Sequence, residues 1–385
     1  MKILHVAPSI ERAYGGPTQS LAGYIFASGT AGDIVDVAAP LAPAAEIGDI
    51  ERSGARRVET FAGYGKGSAA SSPSLVSWVR ASARQYDVIH VHGLFNFIST
   101  FAARAAIAAG SPVVIRPFGT LSRYTFAHRR AALKRAWFQR LELPNLMRAA
   151  AVHFTTATER DEAEWNDLNL GERAHIVPPP FMADIETSRS RRKDPVPVVL
   201  FLGRLHPVKN LEMLIDAWTD VTHAVPDARL EIAGQGTPAY SRKLRARVRA
   251  LGLERSVEFR GFLSGAEKKE ALASASLLVL PSHHENFGMV VIEAVAAGLP
   301  VVVSRHVQLQ DFIAEHDFGI VAGDSPDSLA QCLKSALSDN ALQMRVRSLG
   351  KSIVSETFSP EVIGKRLSAM YLAAVNSHRD RLSGN

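Results

Sequence analysis

Residues 277–304, LLVLPSHHENFGMVVIEAVAAGLPVVVS, decide the fold of this chain. Residues 277–280 are a short apolar run that reads as a buried strand, and 281–286 carry loop chemistry. A helix is expected from about Phe287 to Ala297, where Gly298 and Pro300 stop it, and 301–304 read as the next strand. Continuous apolar strands joined by a helix belong to a parallel sheet covered on both faces. Two carboxylates, separated by seven residues, punctuate the unit. Glu285 is expected just ahead of a helix N-terminus, where free backbone N–H groups attract an anion such as a phosphate. Glu293 lies about 12 Å further along at 1.5 Å per residue, so the two can face one ligand at different points. A capping acid followed by an exposed helix acid gives the same pattern, so the residues around them must decide.

The alternation continues to both ends. Strands are expected at 2–7, 34–38, 88–92, 113–116, 152–155 and 175–177, then at 198–202, 230–233, 257–260, 277–280, 301–304 and 320–322, with helices between most of them. The break, ADIETSRSRRKDPVP at 183–197, is polar, charged and proline-punctuated, as a linker should be. The expected organisation is α/β: an N-terminal domain at 1–182, the linker, a second domain at 198–358, and a C-terminal helix at 359–385 able to pack back on the first domain. Both domains are expected to be doubly wound parallel sheets facing each other across a cleft. A length of 385 residues exceeds one ordinary core and agrees with two domains.

Composition narrows the function classes. A hydrophobic share of 46% with 21% charged residues is that of a globular protein, and no run of about 20 apolar residues occurs to span a membrane. The only cysteine, Cys332, excludes an intramolecular disulfide and a thiolate-rich metal site, which fits a reducing compartment. The start, MKILHVAP, is too short for a secretory apolar segment and reads as a first strand, so a cytoplasmic location is expected. The net charge of +6 concentrates in HRRAALKRAWFQR (128–140) and SRKLRARVR (241–249). Trp137 and Phe138 among the cations make the first a candidate for peripheral contact with anionic lipid; a solvated basic helix face is the plainer reading. No nucleic-acid motif accompanies the charge.

In open parallel sheets, ligands bind at the carboxyl ends of the strands, and the chemistry-bearing residues of this chain fall there. Gly203, Arg204 and Lys209 follow the first strand of the second domain, Gly234 and Gly236 the second, and Glu285 the fourth. Two cations at a helix start are unfavourable to the helix dipole and suited to a diphosphate. GQGTPA at 234–239 invites a dinucleotide reading, but that fingerprint belongs to the first strand–helix turn of its unit, and VVLFLG precedes it here. In the first domain, Gly15 and Gly16 sit between a strand and a helix that Pro17 starts, where backbone can approach a phosphate. His90 and His92 share one strand face; His90 reads as a core residue and His92, at the strand's open end before Gly93, as the functional candidate. GYGKGSAASS at 63–72 is read as a flexible loop, either a lid or acceptor loop or an idle surface loop.

Four segments in sequence, APSIERAYGGPTQS, FLGRLHPVKNLEMLIDAW, IAGQG and the E-x7-E region, resemble the retaining glycosyltransferases of the GT-B fold, group 1 or family 4, over nearly the whole chain. The resemblance implies transfer of a sugar from a nucleotide diphosphate to an acceptor hydroxyl, with retention. It assigns Glu285 to the donor sugar, Glu293 to the ribose, and Arg204 and Lys209 to the leaving diphosphate, helped by backbone N–H groups near Phe287 and Gly288. Gly15, Gly16, Gly203, Gly234 and Gly236 would line the donor, and His92 would act at the first domain. Many relatives carry His or Arg directly before the glycine of the segment matching RPFGTLSRY; Phe118 stands there, with Arg116, Arg123 or His92 as substitutes. No D-x-D pair occurs, so neither metal nor other cofactor is expected. The implied partners are a nucleotide sugar and a saccharide or lipid-linked acceptor of bacterial surface-polysaccharide assembly. A nucleotide-sugar isomerase and a non-catalytic donor-binding subunit are the rival readings.

Overall fold

We describe the chain from a computed structural model, over residues 1–65, 70–127, 131–164, 168–182 and 196–383. Among these residues two parallel sheets form. The first contains β1 (Lys2–Val6), β2 (Ile34–Pro40), β3 (Arg57–Phe61), β4 (Val88–His92), β5 (Val113–Arg116), β6 (Ala151–Phe154) and β7 (Ala174–Ile176), in the order β3-β2-β1-β4-β5-β6-β7. The second contains β8 (Val198–Leu202), β9 (Arg229–Ala233), β10 (Val257–Gly261), β11 (Leu277–Leu280), β12 (Val301–Ser304) and β13 (Gly319–Ala322), in the order β10-β9-β8-β11-β12-β13. Strand order reverses beside β1 in one sheet and beside β8 in the other, so each has a topological switch point, at β1/β4 and β8/β11.

The chain divides into two compact units, Met1–Met182 with Phe358–Asn385, and Ala183–Thr357. The linker expected at 183–197 lies outside the described residues apart from 196 and 197. In the first unit successive strand residues enter opposite cores, as the two-residue period of a strand requires. Leu4, Ile89, Val91 and Ile115 line one, and Ile3, Val37, Val88 and Val114 the other. The second face is covered by the helices Gly16–Thr30 and Pro360–Ser383, which bury Tyr24, Leu367, Met370 and Tyr371 against it. A Cβ on Gly364 would lie 2.2 Å from the Ala27 carbonyl oxygen, so glycine alone allows these two helices to approach this closely. In the second unit Leu277, Leu278, Val279 and Leu280 are all buried. Each such burial contributes about 1.5–3 kcal/mol relative to exposure.

Three features differ from the sequence reading. β3 was not expected: RVETF is short, only partly buried and mixes charge with apolar residues, because it is an edge strand. The helix after β11 begins at Met289, two residues later than expected, because Gly288 adopts a left-handed conformation (φ 81°) at its N-cap. The basic helix is described from Ala131, since 128–130 lie outside the described residues; it runs Ala131–Trp137, continues as a π-helical turn, Phe138–Glu142, and resumes as Leu143–Arg148. Pro144 lacks the N–H that would bond the carbonyl of Arg140, which favours a local widening there. Phe138 is buried, and the Trp137 indole N–H donates to Glu142 Oε1 at 2.9 Å. The apolar pair expected to meet lipid is therefore largely engaged inside the protein. The second basic run, on the helix Pro238–Ala250, pairs Lys243 with Glu212 and Arg247 with Asp216.

Candidate active site

At the carboxyl edge of the second sheet, four loops are tied to one another. The loop after β8 joins that after β9: Leu205 N–H donates to the Gln235 carbonyl at 2.8 Å, and Leu205 bridges Gly236. A Cβ on Gly234 would stand 1.8 Å from the Gly203 oxygen, and one on Gly236 2.2 Å from the Leu205 oxygen. Both glycines are thus required by the chain's own backbone, whatever ligand lies beside them. The loop after β11 is held on either side. His283 N–H donates to the Val208 carbonyl at 2.8 Å, while Glu285 N–H donates to the His306 carbonyl at 3.1 Å and the Glu285 carbonyl accepts from Gln308 N–H at 3.2 Å.

This framework sets one ion pair at the switch point. Lys209 ends the 3-10 turn Pro207–Lys209 after β8, and its ammonium pairs with Glu285 from the loop after β11. The side chains are 15% and 19% exposed, so water reaches the pair only partly. Asn210 follows in the left-handed region (φ 54°), an uncommon conformation outside glycine that lets the helix Leu211–Ala224 start directly behind the lysine. Arg204 is exposed and has no ion-pair partner among the described residues. His206, near both cations, accepts from Val208 N–H at 3.2 Å; burial first, then Arg204 and Lys209, lowers its pKa. Phe287 is buried, and Gly288 leaves only 3.2 Å from a built Cβ to Glu285 Cγ. Glu293, one helix turn beyond Met289, is 9% exposed and meets Lys268, a residue the sequence reading did not single out.

In the first unit Gly15 takes φ 80° and caps the helix Gly16–Thr30; a Cβ on Gly15 or Gly16 would meet nothing within 4 Å. His92 ends β4 as expected but is enclosed: it is 1% exposed and lies 2.8 Å from His5 Nδ1 through its Nε2. His90 bonds the Tyr371 hydroxyl at 2.9 Å and His153 at 3.2 Å, and His153 bonds the Val177 carbonyl. Burial lowers the pKa of His5 to about 3, with the Arg116 guanidinium adding to it, and holds His90, His92 and His153 well below the ordinary value. His5, His90 and His92 each bring a ring nitrogen within 4.8 Å of the others. That grouping suits a metal poorly, because both nitrogens of His90 are already bonded and a guanidinium stands close by.

Phe118 and Gly119 both take positive φ, 58° and 68°. Phe118 covers the Arg116 guanidinium, 4.2 Å from its ring centre, with Tyr24 4.6 Å from the same group. Arg116 is 2% exposed and donates to Ser20 Oγ at 3.1 Å. Two buried carboxylates missed by the sequence reading hold these loops. Glu159 accepts from Gly119 N–H, and from Thr155 N–H and Oγ1 at 2.7 and 2.6 Å. Glu142 accepts from the N–H of Phe95, also left-handed, at 2.7 Å. Glu159 did carry a signal, since Thr156 caps its helix three residues earlier in a capping-box spacing. Glu142 carried none.

Two doubly wound parallel sheets, one with a cation–carboxylate pair at its switch point, define an α/β protein of the GT-B type. Residues 184–352 match the family described as glycosyl transferases group 1, and residues 15–180 the glycosyl transferase 4-like domain. Each half of the chain thus matches a glycosyl transferase domain, the second of them that of group 1. It is 32% identical over 203 residues to the D-inositol 3-phosphate glycosyltransferase of Corynebacterium glutamicum, covering 50% of this chain and 48% of that protein. It is 36% identical over 185 residues to an uncharacterized glycosyltransferase of Methanocaldococcus jannaschii, covering 48% and 46%. The matches thus span about half the length of these curated relatives. Its fold is similar to that of Anabaena HepE solved in complex with UDP, with a TM-score of 0.74 at 21% identity over 97% of this chain and 100% of that one. A glycosyltransferase of Rickettsia africae gives a TM-score of 0.75 at 12% identity over 97% and 98%.

Proposed function

We propose that the chain transfers a sugar from a nucleotide diphosphate donor to an acceptor hydroxyl, with retention at the anomeric carbon. The bond from that carbon to the diphosphate oxygen breaks, the bond to the acceptor oxygen forms, and the acceptor's proton passes to the departing diphosphate. The observation that carries the reading is the Lys209–Glu285 pair at the β8/β11 switch point. An incoming diphosphate competes for Lys209 and meets the unpaired Arg204 on the same loop. Glu285 is then released to accept from a sugar hydroxyl. The cations act where charge develops on the leaving group, which is where electrostatic stabilisation accelerates a reaction. Glu293 takes the ribose. The anomeric configuration of the product, read by proton NMR against that of the donor, tests the reading; inversion contradicts it.

We further propose that Arg204 and Lys209 stand in for a metal, so no cofactor is needed. Transfer is expected to survive EDTA unchanged. Loss on chelation that Mg²⁺ or Mn²⁺ restores contradicts these roles.

The acceptor is proposed to be a saccharide or lipid-linked saccharide of bacterial surface-polysaccharide assembly, used at the cytoplasmic face. No helix among the described residues is long and apolar enough to cross a membrane. Peripheral contact would rest on the exposed Leu133, Arg135 and Arg140, with each cation contributing about 1 kcal/mol within a Debye length of anionic lipid. Flotation with anionic liposomes should weaken as salt rises, and weaken further when Arg135 and Arg140 become Ser. Failure to float at low salt removes the membrane from the account.

A further inference from the structure

We infer that Lys268 is a positioning residue for donor recognition: it holds the Glu293 carboxylate in the orientation that accepts the ribose hydroxyls. The inference rests on the proposed ribose role of Glu293. Lys268 projects from the helix Gly265–Ser274, which follows β10, and reaches Glu293 on the helix Met289–Ala296, which follows β11. Its ammonium lies 2.7 Å from Oε1 and 2.6 Å from Oε2 of Glu293. Glu293 is 9% exposed, and an ionised carboxylate so buried requires a counter-charge. Lys268 supplies it, and among the described residues no other cation pairs with Glu293.

The geometry also leaves the acid usable. A carboxylate offers about four lone-pair sites; the ammonium donates to one on Oε1, and the enclosed Oε2, 2.6 Å from the same ammonium, has no hydrogen-bond partner, so at least about two sites are unused. The remaining two match a pair of neighbouring hydroxyls, the arrangement that a ribose presents and a 2′,3′-dideoxyribose lacks. A hydrogen bond to one oxygen with the same ammonium close to the other restrains the plane of the carboxylate as well as balancing its charge. Glu293 was legible in the sequence through its spacing from Glu285. Lys268, 25 residues earlier and among ordinary helix residues, was not.

Calorimetric titration of the full chain with UDP, GDP and their 2′,3′-dideoxy forms tests this. The wild type should bind whichever ribonucleotide it accepts at least about 10-fold tighter than the dideoxy form, the scale of a hydrogen bond to a charged group. Lys268→Met should reduce that ratio to roughly 2-fold, and Lys268→Arg should restore most of it. A purely structural staple between two helices would weaken both nucleotides equally and leave the ratio unchanged, which overturns the inference. Glu293→Gln separates the two readings. If it loses the ratio while Lys268→Met keeps it, Lys268 plays no positioning part. If Glu293→Gln keeps the ratio, or the wild type has none, Glu293 is not the ribose acid and the inference falls with it. Lys268→Gln, with the melting temperature measured alongside, serves if the methionine variant does not fold.

Discussion

Replacing Glu285 with Ala in the full chain is expected to lower turnover by about 10²–10³, the loss seen when one preorganised stabilising group is removed from a reacting centre. The fold should survive. Glu285 is placed by its backbone, through His306 and Gln308, and those bonds do not involve the side chain. Truncation leaves Lys209 without its partner, yet Lys209 keeps 15% exposure and some water. Donor affinity should change far less than turnover, because the freed lysine still meets the diphosphate while the hydroxyl contact is lost. Glu285→Gln, which keeps the shape and removes the charge, should lie close to the alanine variant. A folded variant with nearly wild-type turnover would show that the pair at the switch point is structural only.

The second large effect is acid lability that is greater in the first unit than in the second, where burial lowers the pKa of His206 and His284. Four histidines, His5, His90, His92 and His153, are buried there with their pKa values depressed chiefly by burial. A histidine that is neutral when folded and titrates normally when unfolded binds more protons in the unfolded state below about pH 6.5, so stability falls as pH falls. His5, depressed to about 3, should cost about 1.4 kcal/mol for each pH unit between 6.5 and its folded value. Glu142 works in the opposite direction: burial raises its pKa, so its destabilising effect at neutral pH fades on acidification. The histidines outnumber it. Hydrogen exchange, corrected for the intrinsic pH effect, should show β1 and β4 losing more protection between pH 7 and 5.5 than β8 and β11. Equal behaviour of the two sheets would mean that the histidine cluster is solvated or already charged.

The sequence shows most of the fold because its strands are unbroken apolar runs, which only a covered parallel sheet accommodates. β3 escaped because an edge strand is half solvated and so resembles a loop. The loops of the proposed donor site were legible by residue type, but not always for the right reason. Gly234 and Gly236 are glycines because neighbouring backbone presses on them, a contact between loops that no local pattern reveals. His92 shows the limit of periodicity: spacing put it on one face with His90, but the depth of that face depends on the helix Pro360–Ser383, nearly 270 residues later. Glu142, Glu159 and Lys268 were missed for a related reason. Each is defined by what it meets in space, and a carboxylate on a helix looks solvated until its partners are known.

Under the proposed function, the second unit holds a nucleotide sugar at the Lys209–Glu285 loop pair. A thermal-shift panel of nucleotide diphosphate sugars measures this most directly, since a ligand at 100 times its dissociation constant adds about 2.7 kcal/mol to the stability of the state that binds it. One donor family should raise the melting temperature of the wild type by several degrees, and Lys209→Met combined with Arg204→Met should abolish that rise. No shift with any nucleotide sugar, or a shift that the double variant retains in full, would contradict the assignment of the donor site.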